Sequence, residues 1–157
     1  MLGRFFAAFK RRQYRGGRPG RWARIENRLS AIVFAAGVMP ERAATLDVRG
    51  RKSGRLISFP IAIADHEGER YLVAMLGERT NWVLNVRAGD GRAVLRHGRR
   101  EEVRLIEEPA ARRAAILQRF LQVAPGARPH FPIDRNAAST EFERIADRYP
   151  VFRIAHA

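Results

Sequence analysis

The residues with the clearest capacity for chemistry form one short run, Gly50-Arg51-Lys52-Ser53-Gly54-Arg55. Two glycines let the backbone come close to a ligand, Ser53 and main-chain amides donate hydrogen bonds, and Arg51, Lys52 and Arg55 supply positive charge. That set suits a phosphate. Its Lys-Ser pair is not a P-loop, because that motif needs Gly directly before the Lys and a helix after the Ser, whereas Arg51 precedes and a strand pattern follows here. The alternative is a solvated basic hairpin, which composition alone favours because such short motifs are weak signals. A second cluster is Asn81-Trp82-Val83-Leu84-Asn85-Val86-Arg87-Ala88-Gly89-Asp90. Trp82 and Asn85 stand three apart and share one helical face. Trp offers a wall to a planar ring and Asn offers both donor and acceptor. Trp82 equally suits a core and Asn85 a helix end, and spacing leaves both readings open.

Other chemistries find no residues. The four histidines, at 66, 97, 130 and 156, lack HExxH or HxH spacing, so no metal site is expected. There is no G-x-S-x-G, and Ser53 and Ser58 have no partner base in the sequence. The absence of cysteine excludes disulfides, thiolate metal sites, iron–sulfur clusters and a Cys nucleophile. The glycines at 16, 17 and 20 lack the strand-turn-helix spacing of a dinucleotide fingerprint.

A chain of 157 residues fits one domain, and 46% hydrophobic with 29% charged residues describes a folded globule. The net charge of +14 calls for an anionic partner. Only Lys10 and Lys52 are lysines, so the wealth of arginine reads first as a compositional habit. Position says more: residues 1–55 carry fourteen Lys+Arg against Glu26, Glu41 and Asp47, a net +11, leaving +3 for the other 102 residues.

The elements that must position these groups follow from periodicity. Leu2, Phe5, Phe6 and Phe9 ahead of Lys10, Arg11 and Arg12 describe a short basic amphipathic helix, which either lies on an anionic membrane or docks on the protein. Residues 1–20 are therefore expected as a basic arm and 21–157 as one domain. Trp22, Ile25, Leu29, Ile32, Val33 and Ala36 form a helical stripe ending at Pro40. The apolar stretch Leu29 to Met39 is too short to span a bilayer and follows too long a basic region for a signal peptide, so a cytoplasmic protein is expected. Strands are expected at Thr45–Arg49, Ile57–Ala64, Arg70–Met75, Ala93–His97 and Glu101–Ile106, with turns at Asp65-His66-Glu67-Gly68 and Gly98-Arg99. Consecutive strands with tight turns imply an antiparallel sheet curling into a small barrel. A helix opens at Glu108-Pro109 and runs through Val123; a loop rich in Pro and Gly, Ala124 to Asn136, follows. Thr140 and Glu143 form a capping box for a last helix bearing Phe142, Ile145 and Tyr149. Val151 to Ile154 closes as a strand.

Taken in order, Leu46-Asp47-Val48-Arg49-Gly50-Arg51-Lys52-Ser53-Gly54, Pro60, Tyr71-Leu72-Val73-Ala74 and Trp82-Val83-Leu84-Asn85-Val86-Arg87-Ala88 resemble the deazaflavin-dependent nitroreductase and quinone reductase family of actinobacteria. The resemblance implies an α+β split β-barrel of about six mostly antiparallel strands with flanking helices. It implies an enzyme that binds reduced coenzyme F420 and passes a hydride to a quinone, nitro compound or activated alkene. By the same resemblance Arg51, Lys52, Ser53, Gly54 and Arg55 hold the phosphate and acidic tail of the cofactor. Pro60, Ala74, Met75 and Leu76 line the deazaflavin, Trp82 and Asn85 close the site, and Phe131 and Tyr149 shape the acceptor pocket. Arg79 is a candidate for stabilising charge on the acceptor, on location alone. Such a site needs no catalytic triad, since the cofactor carries the chemistry. FMN is the alternative cofactor. A non-catalytic barrel holding a flavin, lipid or tetrapyrrole is the alternative function. Expected partners are a small-molecule electron acceptor and a second copy of the chain, with membrane-surface contact through residues 1–20 next and nucleic acid last.

Overall fold

The computed structural model describes residues 42–157. The expected helices before Pro40 and the basic arm lie outside the described residues. Within them seven strands form: β1 (Ala43–Arg49), β2 (Leu56–Ala62), β3 (Ala64–His66), β4 (Glu69–Val73), β5 (Arg92–Arg96), β6 (Arg100–Glu107) and β7 (Val151–His156). Three α-helices, α1 (Asn81–Ala88), α2 (Ala114–Val123) and α3 (Ser139–Ile145), are set between them. The sheet order is β2-β1-β5-β6-β7-β4-β3 and every neighbouring pair is antiparallel.

β2 and β3 occupy the two edges of this sheet, yet only Ile63 separates them in the chain. The segment Leu56–His66 is thus one bent strand that pairs with β1 at its start and with β4 at its end. The two edge strands are joined through it, and the sheet curls into the split β-barrel the family resemblance implies. The expected strand Ile57–Ala64 is found divided at Ile63 into β2 and β3, because the chain changes partner there from β1 to β4; the Ile63 amide makes the last bond on the β1 side, to the Arg42 carbonyl at 2.7 Å. The expected four-residue turn after it contracts to Glu67-Gly68, with Asp65 and His66 taken into β3.

Strand alternation divides the apolar residues between two cores. Ala44, Leu46 and Val48 of β1 point into the barrel with Phe59, Leu72, Leu95, Val103 and Phe152. On the opposite side of the sheet, Ala64, Tyr71, Val73 and Val151 pack under α2 and α3. Ile116, Leu117, Phe120 and Leu121 form the buried stripe of α2, at the spacing that puts them on one helical face. That helix begins later than expected, after a 3-10 turn at Ala110–Arg112. The capping box is also corrected. α3 starts at Ala138, which caps without its side chain, so Thr140 lies inside the helix and cannot serve as its cap.

Ion pairs brace the outside of the barrel, and three carboxylates are held below their ordinary pKa mainly by hydrogen bonds from arginine: Glu101 from Arg70, Glu107 from Arg87, and Asp65 from Arg42 and Arg119. A carboxylate with a lowered folded pKa contributes stability above its unfolded value, and that contribution is lost as pH falls through the folded one. The melting temperature is therefore expected to hold steady from about pH 6 to 5 and to drop below about pH 4.5. Calorimetry across that range checks it, and Glu101→Gln should flatten the acid limb.

Candidate functional site

The turn between β1 and β2 is built by its glycines. The Gly50 amide donates to the Arg55 carbonyl at 2.8 Å and the Gly54 amide to the Gly50 carbonyl at 2.9 Å. Gly54 sits at φ +68°, which side chains disfavour, and a Cβ on Gly50 would come within 2.8 Å of Ser53 Oγ. Ser53 Oγ accepts the Arg55 amide at 3.2 Å, which leaves its hydroxyl proton to donate elsewhere. Arg49 Nη1 donates to the Gly54 carbonyl at 2.6 Å. A strand follows the turn, as the exclusion of a P-loop requires.

Arg51, Lys52, Ser53, Gly54 and Arg55 are all exposed. No acid occurs in sequence between Asp47 and Asp65, and Asp47 is engaged bidentately by Arg96 at 2.9 Å. Among the described residues no carboxylate pairs with Arg49, Arg51, Lys52 or Arg55. Elsewhere arginines such as Arg70, Arg87, Arg96 and Arg113 are neutralised by acids. Here four cations share one turn without a counterion, and the amides of Lys52 and Ser53 meet no acceptor among the described residues. The donor set fits a phosphate or a short run of carboxylates.

The second cluster forms α1 and joins the first. Asn85 is 5% exposed, and its Oδ1 accepts both the backbone amide of Arg51, at 3.1 Å, and Arg51 Nη1, at 2.9 Å. The two motif halves therefore make one structure. Because the acceptor is neutral, it orients the guanidinium without cancelling its charge. Trp82, on the same face, is 6% exposed and packs between Phe59 and Phe152, with ring centroids 6.1 and 5.3 Å away. It anchors α1 in the barrel core, with tilted protein rings beside it on β2 and β7.

The remaining expected residues do not converge through their side chains. Pro60 is buried on β2 opposite Thr45, Ala74 points into the barrel core, and Met75 lies in the core under the helices. Of that set, exposed Leu76 leaves its side chain free, so any lining by the others runs through backbone. Arg79 is exposed on the same loop. Phe131 and Tyr149 stack on each other at 4.2 Å, 7% and 8% exposed, with the Tyr149 hydroxyl donating to the His130 carbonyl at 3.0 Å. Burial raises the Tyr149 pKa above its ordinary 10.0. Both belong to the helix-side core. Sequence reasoning missed Arg49, one position outside the quoted hexapeptide, and an ion network of Glu78, Arg87, Glu107 and Arg113, whose members no local spacing connects.

Among the described residues no group of His, Cys, Asp and Glu is arranged to hold a metal, and no helix is long and apolar enough to cross a membrane. No curated protein sequence matches the chain significantly. Solved structures do. An F420-H2 dependent reductase, FDR-A, is 20% identical with a TM-score of 0.52 over 74% of this chain and 96% of that one. A protein described as a domain-swapped dimer is 16% identical, TM-score 0.52, over 87% and 99%. A conserved hypothetical protein of Mycobacterium tuberculosis is 17% identical, TM-score 0.51, over 78% of each chain. These likenesses speak to the fold, which is the same split barrel. The sequence profile described as F420H(2)-dependent quinone reductase matches residues 26–135, spanning the turn, the bent strand, α1 and α2. By that match the chain belongs to the F420H(2)-dependent quinone reductase family, and it is an F420-dependent reductase.

Proposed function

We propose that this protein transfers a hydride from reduced F420 to a quinone, a nitro compound or an activated alkene, and that the turn Gly50–Arg55 holds the anionic tail of the cofactor. One observation carries the reading: Asn85 of α1 fixes Arg51 by two hydrogen bonds, while Arg51 and the three cations beside it, Arg49, Lys52 and Arg55, have no counterion among the described residues. Reduced deazaflavin, when bound, supplies the hydride. The chain supplies position. Arg51, Lys52 and Arg55 attract and orient the phosphate and carboxylates of the tail, Ser53 donates its hydroxyl proton, and Gly54 keeps the backbone open to them. Asn85 holds Arg51 in its binding geometry, and Trp82 holds Asn85 by anchoring α1. Leu76 and the loop backbone are the candidates for contact with the ring, and Arg79 is the candidate for the acceptor side.

The family match favours F420 over FMN, and an oligoglutamate tail suits four free cations better than a single phosphate does. Assembly as a homodimer is part of the proposal, supported by the domain-swapped relative. The test is direct. Full-length protein mixed with reduced F420 and menadione should oxidise the cofactor in proportion to enzyme concentration, with saturation in both substrates. Cofactor oxidation no faster than in the protein-free control would overturn the activity.

A further inference from the structure

The loop between β4 and α1, residues 74–80, is tied to the body of the protein at one charged point. Its backbone folds on itself: the Gly77 amide donates to the Ala74 carbonyl at 3.0 Å, and Thr80 returns both its amide and Oγ1 to the Gly77 carbonyl at 3.2 and 2.7 Å. At its start, the Ala74 amide reaches the Pro150 carbonyl at 2.9 Å. Beyond buried Ala74 and Met75, Glu78 is the loop side chain that engages the rest of the fold among the described residues. Glu78 Oε2 accepts Arg87 Nη1 at 2.8 Å, and its Oε1 stands 4.0 Å from Arg113 Nη1.

Both partners are fixed independently of Glu78. Arg87 grips Glu107 bidentately at 2.7 and 2.9 Å. Arg113, buried at the start of α2, donates to Glu107 at 3.1 Å and to the carbonyls of Glu108, Ala146 and Tyr149 at 2.8, 3.1 and 3.4 Å. Neutralising Glu78 therefore leaves neither arginine without an acid. The loop loses its anchor while the fold keeps its own.

Arg87 stands two residues beyond Asn85 on the same short helix. Asn85 holds the Gly50–Arg55 turn; Arg87 holds the loop. We infer that Glu78 is a positioning residue: through Arg87 it locks loop 74–80 to α1, so that this helix sets the placement of the loop relative to the anion-holding turn. A cofactor bound by its tail at the turn then meets a loop already in register at its reacting end. That functional consequence rests on the proposed F420 reading, whereas the ordering of the loop does not.

Glu78→Gln tests both parts. In the cofactor-free protein, amide hydrogen exchange at residues 76–79 should quicken about tenfold, with residues 52–55 unchanged and the melting temperature within about 3 °C of wild type. Trypsin should cut after Arg79 correspondingly faster, and Glu78→Asp should restore part of the protection. With reduced F420 and menadione, kcat should fall about tenfold while cofactor KM changes less than about twofold. Unchanged exchange at 76–79 would overturn the lock, and faster exchange with unaltered kcat would overturn its part in the reaction. A wild-type protein inert towards F420 would sink the proposed activity, and the exchange arm would still decide the lock.

Discussion

Arg51→Ala combined with Lys52→Ala is expected to weaken binding of reduced F420 about 30-fold. Charge-assisted hydrogen bonds contribute roughly 1.5–3 kcal/mol when shielded from water. Both side chains are exposed, so solvent screening brings each nearer to about 1 kcal/mol, and two together give the predicted factor. The loss should shrink as salt rises, because screened charges have less to lose. Stability should scarcely change. No carboxylate among the described residues is left unpaired by the substitution, and the turn keeps its shape through Gly50, Gly54 and the Ser53 hydroxyl. Fluorescence titration gives the affinity, and thermal melting of the same sample separates a binding defect from an unfolded one.

The largest effect on stability is expected at Trp82→Ala, about 3–5 kcal/mol. The side chain is almost wholly buried, and it contacts Phe59 of β2 and Phe152 of β7, which lie on distant strands of the sheet. Its removal opens a cavity in the barrel and forfeits two aromatic contacts worth about 0.5–1.5 kcal/mol each beyond area burial. Against a total stability of about 5–15 kcal/mol, the melting temperature should fall by about 6–20 °C. Because Trp82 and Asn85 share α1, cofactor affinity should fall as well. Trp82→Phe discriminates this role from a ligand wall. A packing residue should recover much of its stability as Phe, with cofactor affinity following. A wall would lose affinity while the melting temperature stayed at the wild-type value.

Sequence periodicity located most strands within a residue or two, because Val, Ile and Leu alternate between clear turn signals at Glu67-Gly68 and Gly98-Arg99. The bend at Ile63 was invisible. The run Phe59–Ala64 is apolar without interruption, and the break arises from the strand changing partners, a tertiary event. Thr140 and Glu143 carry the right spacing for a cap, but the chain enters α3 at Ala138, so the local signal yields to how the preceding loop arrives. At the site, residue types announced the basic turn and the Trp-x-x-Asn helix. Their bonding to each other across 34 positions was not legible, because no local spacing connects a strand turn to a helix that far along the chain. Aromatics were ambiguous for one reason throughout: Trp82, Phe131 and Tyr149 suit a core and a planar ligand equally well in sequence, and only the fold shows that all three are buried. The Glu78 network escaped because its charges meet only once β4, α1, β6 and α2 are assembled.

The claim on which the account rests is that the Gly50–Arg55 turn reads the tail of the cofactor. It is tested most directly by titrating wild-type protein and the Arg51→Ala, Lys52→Ala variant with F420 and with the same deazaflavin lacking its phosphate and glutamates. Removing the tail should cost the wild-type protein at least about 30-fold in affinity and should cost the variant about 30-fold less than that, since Arg51 and Lys52 are two of the residues the tail would meet and Ser53 and Arg55 remain. Equal losses on removal of the tail in the two proteins would contradict it.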